Sequence, residues 1–204
     1  LGSSTAAIVA GIKIANVLGQ MHLSLNDQID LGSQITSHPA CLSAAILGGL
    51  TTSEFNGKHV ITIGAKMPKI VALVYTLPEI THKRLKRSVK FTHKDLVRSV
   101  NISDVLMAAI MDDHWEKASR IMEEDPIQFR RKLRTVPELT LIRSLAHRLG
   151  LYGSYLNLDR TAVITLGESR KLSHLHRLLA HNRKLTGQLK VMRVDHHGTT
   201  VRGE

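Results

Sequence analysis

The chain opens on Leu1-Gly2-Ser3-Ser4-Thr5-Ala6-Ala7, a glycine-serine turn that runs directly into an apolar helical stretch. Few segments restrict a fold more. Glycine at the mouth of a helix lets backbone N–H groups approach an anion, two serines add hydroxyls, and the helix directs its positive end at the ligand. The pattern predicts a phosphate cradle; its purely structural counterpart is a helix capped by Ser3 or Ser4. A loop of this kind normally follows a strand. None precedes it here, so the chain is expected to be the later part of a longer polypeptide.

The 204 residues suffice for one large domain or two small ones. Aromatic residues make up only 3%, so the core must be built from Leu, Ile, Val, Ala and Met. A single cysteine, Cys41, excludes an internal disulfide and suits a reducing, cytoplasmic setting. No apolar run reaches membrane-spanning length, and no membrane partner is expected. The net charge of +11 raises the question of nucleic acid. Much of that charge lies in His82-Lys83-Arg84-Leu85-Lys86-Arg87 with Lys90 and Lys94, and in Arg130-Arg131-Lys132 with Arg134. Stacking aromatics that nucleic-acid modules interleave with such patches are missing. The charge therefore reads as a solvated basic face plus an anionic small-molecule substrate, with no nucleic-acid partner.

Periodicity predicts a helix over Ser4–Leu18, apolar nearly all round and hence buried, closed by Gly19 at the C′ position. Asn26 or Asp27 is expected to cap a second helix reaching about Thr36. Ser37-His38-Pro39 breaks it, and Ala40–Leu47 resumes as a short apolar helix before Gly48-Gly49. A hairpin follows, Leu50–Phe55 and Lys58–Ile63 around Asn56-Gly57, then a buried strand over Lys69–Tyr75. Beyond Pro78 the pattern turns helical: Thr81–Val89, a segment capped by Thr92 that continues through Ile110, Trp115–Glu124, and Pro137 to about Gly150. Gly153–Leu156 and Thr161–Leu166 read as strands joined by a turn at Asn157–Arg160. Ser173–His181 is a helix, Gln188–Asp195 a strand, and the tail from Thr199 a further strand. The alternation indicates an α+β sandwich.

Together these pieces resemble the homoserine kinases of the GHMP small-molecule kinase superfamily. Leu1–Ala7 matches the latter half of the superfamily's Pro-x-x-x-Gly-Leu-Gly-Ser-Ser-x-Ala loop. His38-Pro39, Ala44-Ala45 and Gly48-Gly49-Leu50 match a His-Pro-Asp-Asn-x-x-Ala-Ala-x-x-Gly-Gly segment. Asn101-Ile102-Ser103 resembles an Asn-Leu-Ser ahead of an apolar helix, and Arg193-Val194-Asp195 with Gly198 resembles the family's closing strand.

The resemblance implies an N-terminal, ATP-binding domain like ribosomal protein S5 domain 2, in part over residues 1–66. It implies a ferredoxin-like C-terminal domain over 67–204, with the site between the two. The implied activity is transfer of the ATP γ-phosphoryl group to the side-chain hydroxyl of L-homoserine, in threonine biosynthesis. ATP and Mg²⁺ are the implied cofactors, and a homodimer is compatible with it. Leu1, Gly2, Ser3, Ser4 and Thr5 would hold the phosphates, with Ser4 as a Mg²⁺ ligand.

Elsewhere the implied site is altered. Counting back from Cys41 places Gln34 where the family has a Mg²⁺-binding Glu, which keeps an amide oxygen but removes the negative charge. Ala40 and Cys41 stand where the family has Asp and Asn, so groups that position the hydroxyl are replaced. Lys132, flanked by Arg131, falls on the family's homoserine-carboxylate Arg and keeps the charge without the bidentate fork. A second family Arg falls near Arg84 or Lys86. Asn157-Leu158-Asp159-Arg160-Thr161-Ala162 replaces a Ser-Gly-Ser-Gly-Pro-Thr loop, putting side chains where the family has almost none. Cys41, on an apolar helix, reads as core rather than nucleophile, and His38 as a capping or packing residue rather than a base. Two alternatives to a working kinase follow from these changes: a non-catalytic relative, or a GHMP kinase with a different small hydroxyl substrate.

Overall fold

The protein is described from a computed structural model, which covers residues 2–36, 38–65, 70–79, 102, 104–123, 136–157 and 159–202. The chain divides into two units, Gly2–Met67 with Asp195–Glu204, and Pro68–Val194.

The first unit contains α1 (Ser3–Leu18), α2 (Leu25–Ser33), α3 (Pro39–Leu47) and an antiparallel hairpin of β1 (Leu50–Phe55) and β2 (Val60–Ala65). Its core is Val9, Ile29, Leu42, Ile46 and Val60, one or two side chains from each helix and one from β2. The expected all-round burial of α1 is not found. Thr5, Val9 and Ile12 are buried on the side that meets α2 and α3, whereas Ile14, Val17 and Leu18 are exposed. Gly19 ends the helix in an αR rather than a left-handed conformation; the left-handed residue is Gln20 at φ 48°. Glycine is needed at 19 for a different reason. A Cβ there would lie 2.8 Å from the Ala15 carbonyl oxygen that its own N–H bonds.

The cap of α2 falls earlier than expected, at Ser24. Asp27 is its partner in a capping box: Asp27 N–H donates to Ser24 Oγ (3.2 Å) and Ser24 N–H to Asp27 Oδ2 (2.9 Å). Strand β2 starts at Val60 rather than Lys58 because Asn56 Oδ1 accepts the N–H groups of Lys58 and His59, which extends the turn. Asp30 fastens α2 to the hairpin. Its Oδ1 accepts the Val60 N–H at 2.7 Å and its Oδ2 lies 2.7 Å from His59 Nδ1.

The second unit contains β3 (Val71–Thr76), helical residues 104–111, α4 (Trp115–Glu123), α5 (Pro137–Arg148), β4 (Ser154–Leu156), β5 (Ala162–Gly167), α6 (Ser169–Ala180) and β6 (Gln188–Arg193). The sheet order is β4-β5-β3-β6 with every neighbour antiparallel. Strands β3 and β4 are thus separated by β5, and β5 and β6 by β3. Two interleaved strand-helix-strand crossovers of this kind are the expected ferredoxin-like arrangement. Leu73 and Tyr75 of β3, Val163 of β5 and Leu156 of β4 share one sheet face and pack with Leu139 and Ile142 of α5 and Leu172, Leu175 and Leu179 of α6. The Tyr75 hydroxyl, at the end of that stripe, accepts the Gly187 N–H at 2.9 Å.

Helix α6 begins four residues before the expected Ser173. That serine is no cap; its Oγ bonds back to the Ser169 carbonyl oxygen (2.8 Å) from within the helix. The turn expected at Asn157–Arg160 is present. Asn157 Oδ1 accepts the N–H groups of Thr161 and Ala162, and Arg160 takes φ 54°. The strand expected from Lys69 begins at Val71 among the described residues. The helix expected over Thr81–Val89, and the Thr92 cap of the next, lie outside those residues.

The tail departs from expectation in two ways. Among the described residues it forms no strand, and residues 195–202 group with the first unit, whereas the 67–204 division gave them to the C-terminal one. Thr199 N–H and Oγ1 both donate to the Ala45 carbonyl oxygen (3.0 and 2.7 Å), and Gly49 N–H donates to Asp195 O (2.7 Å). Backbone spent on α3 is unavailable to a sheet.

The Val60 N–H bond, with His59 adding, holds the Asp30 carboxyl below its ordinary value of 3.8. A depressed carboxyl stabilises the folded state above its unfolded value and loses that contribution as pH falls through its folded one. Asp30→Asn is therefore expected to be less stable than the parent at neutral pH. The difference should begin to narrow at about pH 4 and close progressively as pH falls through the depressed folded-state value, as read from urea midpoints across pH; a gap that does not narrow at all below that pH would count against the assignment.

Candidate active site

At the mouth of α1, Gly2 takes φ 64° and ψ 25°, a left-handed conformation that favours glycine. A Cβ at Gly2 would meet no atom within 4 Å, so the requirement is conformational and the space beside it is open. No side chain caps this helix and its first turn holds no acidic residue. The capping role of Ser3 or Ser4 is thus absent: both are exposed helical residues, and Thr5, with 8% exposure, points inward. The first N–H groups of a helix have no intrahelical acceptor. Here they are joined by two exposed serines and no acidic residue in the first turn, a residue set that fits a phosphate group.

Gln34 is the C-cap of α2 and is exposed, with its N–H donating to the Leu31 carbonyl oxygen (3.3 Å). His38 sits at the N-cap of α3 and is exposed. Its side chain makes no cap bond, while its carbonyl oxygen accepts the N–H groups of Cys41 and Leu42. Ala40 and Cys41 follow on the first turn, both exposed. The expectation that Cys41 belongs to the core is overturned. On α3 the buried positions are Leu42, Ser43 and Ile46, and Cys41 precedes that stripe on the solvent side. Ser43, fully buried, bonds back to the Pro39 carbonyl oxygen (3.0 Å) and meets Thr62 Oγ1 (2.9 Å) and Ser53 Oγ (2.8 Å), joining α3 to both strands of the hairpin.

The suitability for a metal differs from that for phosphate. Ser4 and Gln34 offer a hydroxyl and an amide, both neutral, and Asp30 on the same helix as Gln34 is committed to Val60 and His59. Among the described residues no group of three or more His, Cys, Asp or Glu side chains converges to hold a cation. These residues build no Mg²⁺ site of their own, because hard cations favour charged oxygen ligands.

Leu1, Arg84, Lys86, Arg131, Lys132 and Leu158 lie outside the described residues. In the second unit, Asp113, His114, Trp115, Glu116, Lys117 and Arg120 line an open groove of about 640 Å³ that the sequence did not single out. Trp115 there stacks on Tyr152, with ring centroids 4.6 Å apart. The groove contains none of the residues implied by the family pattern. No helix of the described residues is long and apolar enough to cross a membrane.

A glycine-opened helix mouth in one unit and an interleaved antiparallel sheet in the other are the parts of a GHMP small-molecule kinase. Solved structures agree on the fold. A Listeria monocytogenes protein assigned as a homoserine kinase matches with a TM-score of 0.84 and 24% identity, covering 100% of this chain and 70% of that one. The mevalonate kinase of L. major, in complex with R-mevalonate, matches with a TM-score of 0.66 and 16% identity, covering 98% and 67%. No family model matches the chain. Among curated relatives, the homoserine kinase of Lactiplantibacillus plantarum is 32% identical over 204 residues, 98% of this chain and 70% of the relative. That of Lactococcus lactis subsp. cremoris is 31% identical over 205 residues, with 98% and 69% covered. The chain belongs to the homoserine kinase family.

The position of Cys41 is open to a direct check. Its thiol is expected to react fully with a disulfide reagent such as dithionitrobenzoate in native buffer. A thiol that reacts only in denaturant would return it to the core.

Proposed function

We propose that this protein transfers the γ-phosphoryl group of ATP to the side-chain hydroxyl of L-homoserine. Family membership supports both donor and acceptor. The observation that carries the reading to particular atoms is the uncapped, acid-free mouth of α1 behind a left-handed Gly2. In the reaction the homoserine hydroxyl oxygen bonds to the γ-phosphorus and the bridge to the β-phosphate breaks. The hydroxyl proton is released, and the products are ADP and the phosphate ester. Such transfers proceed through a loose transition state and require positioning and charge neutralisation more than covalent help.

In this reading the backbone amides at Gly2–Thr5 hold the phosphates, and the helix dipole offsets part of their charge. Arg131 and Lys132 bind the homoserine carboxylate. The start of α3, at Ala40 and Cys41, borders the substrate. Mg²⁺ supplies charge neutralisation when bound to ATP. Ser4 Oγ and the Gln34 amide are the neutral oxygens this chain holds at the positions where the family pattern ligates the ion. A cytoplasmic location is part of the same reading, supported by the single cysteine in the sequence, which excludes an internal disulfide.

A second reading has one observation in its favour: no carboxylate stands at Gln34, Ala40 or Cys41. Each missing transition-state contact costs on the order of tenfold to a thousandfold in rate, so the chain is read as a slow kinase at best, or as a nucleotide binder without turnover.

ADP formation is to be measured with homoserine, serine, threonine and mevalonate in parallel. Homoserine is expected to give the highest rate. Heat of ATP binding without ADP from any acceptor would select the second reading, and mevalonate or another acceptor leading would overturn the substrate.

Ser4→Ala tests the cradle separately. It is expected to weaken Mg-ATP binding or turnover about tenfold; unchanged values for both would refute the phosphate role of the loop.

A further inference from the structure

Two glycine backbones cross at the C-terminal end of α3, and neither tolerates a side chain. Gly48 takes φ 75°, and a Cβ on it would fall 2.4 Å from the Gly198 nitrogen. Gly198 takes φ 68°, and its Cβ would fall 2.3 Å from the Ile46 carbonyl oxygen and 2.7 Å from the Gly48 nitrogen. Contacts below 3 Å to backbone cannot be relieved by turning a side chain. Hydrogen bonds flank the crossing on both sides: Gly49 N–H to Asp195 O at 2.7 Å, and Thr199 N–H and Oγ1 to Ala45 O at 3.0 and 2.7 Å. The last carbonyls of a helix have no intrahelical donor. Here one of them, from Ala45, is taken by two donors of the tail. Asp195 Oδ1 also accepts the His197 N–H (2.9 Å), which shapes the approach.

We propose that Gly198 and Thr199 are positioning residues for substrate, acting through α3. The helix has nine residues, fewer than the roughly 12–15 an isolated helix needs to persist in water. Its core face is held by Leu42 and Ile46 and its middle by Ser43, but neither fixes rotation or slide at its end. The tail does, because the glycine crossing admits one seating. Ala40 and Cys41 lie at the other end of the same short rod, so a shift at Gly48 is carried to them. This inference rests on the reading that those two residues border the homoserine side.

Three variants test it: Gly198→Ala, which unseats the tail sterically; Thr199→Val, which keeps the N–H bond and removes the hydroxyl bond; and Thr199→Ser, which restores that hydroxyl. Gly198→Ala is expected to raise KM for homoserine roughly tenfold or more while leaving KM for ATP within about twofold. Amides of residues 42–48 should exchange faster in deuterium. Thr199→Val should shift both readouts in the same direction by less, and Thr199→Ser should match the parent. Equal rises in both KM values, or faster exchange with homoserine KM unchanged, would overturn the positioning role. If Gly198→Ala fails to fold, the comparison of Thr199→Val with Thr199→Ser decides on the same criteria. A parent protein that leaves homoserine unphosphorylated would instead sink the kinase reading. The clasp would then stand or fall on exchange at 42–48 alone, unchanged exchange in Gly198→Ala and Thr199→Val overturning it.

Discussion

Nine residues of helix cannot persist alone, so α3 exists because the rest of its unit grips it. Leu42 and Ile46 are at most 2% exposed, and their burial against Val9, Ile29 and Val60 is worth about 1.5–3 kcal/mol for each side chain. Ser43 adds a different kind of hold. Three hydroxyls, those of Ser43, Ser53 and Thr62, satisfy one another and the Pro39 carbonyl between the helix and the hairpin. A buried hydroxyl without a partner costs about 1–3 kcal/mol, so this cluster anchors the middle of the helix on the hairpin. The tail completes the grip at the third side. Position along the axis, rotation and end are each fixed by a separate interaction.

The second unit is organised by topology rather than by any single clasp. Interleaving the two crossovers puts β3 and β5 at the centre of the sheet, and their inward stripe of Leu73, Tyr75 and Val163 is fully buried. The edges carry the opposite design. Strand β4 has three residues, and β6 presents exposed Lys190 and Arg193, two established ways to keep an edge from recruiting another strand. Between α4, α5 and β4, Glu123 Oε1 accepts the Ser154 N–H (2.9 Å) while Arg143 donates to the Ser154 carbonyl (2.8 Å). Burial lowers the Arg143 pKa and the Glu123 carboxylate, 3.4 Å from its Nε, opposes that shift, so the two brace the short strand from both sides of Ser154.

Strong local signals were legible in the residues: the hairpin through Asn56-Gly57, the Pro137 start of α5, the Asn157 turn, the glycine-opened α1. Each rests on one residue whose backbone preference dominates its neighbourhood. The failures share a different cause. Ser24 lost to Asn26 and Asp27 as a cap because a capping box is reciprocal, and Asp27 serves it from inside the helix. Ser173 resembled a start because serine caps and serine back-bonds look alike in sequence. Burial of α1 and exposure of Cys41 depend on which neighbours a helix meets, which composition alone does not specify. The tail was beyond local reading altogether, since its partner Ala45 is 154 residues away. Of the candidate site, the glycine-opened start of α1 was readable because its glycine and serines are contiguous. The coupling of Gly198 to Gly48 was visible only once both backbones had coordinates.

The electrostatics of the site follow from what α1 and α2 lack. A protein carboxylate on a metal adds negative charge beside a triphosphate, and its benefit is the extra cation affinity it creates. If the proposed reading places Gln34 at that position, then with no acid in the first turn of α1 charge neutralisation falls to amides, the helix dipole and the basic excess of the chain, +11 overall. Dipoles and amides are fixed, so they need no reorganisation as charge moves during transfer. They are also weaker than an added cation held tightly. Such a site binds anions in proportion to its fixed field but stabilises the moving charge less, which favours nucleotide affinity over turnover. The same proposed reading puts Lys132 where the family has a forked arginine, an exchange that keeps attraction and gives up orientation. In that proposed reading both changes press in one direction, toward binding held by fixed charge and a transfer step with less help from the protein.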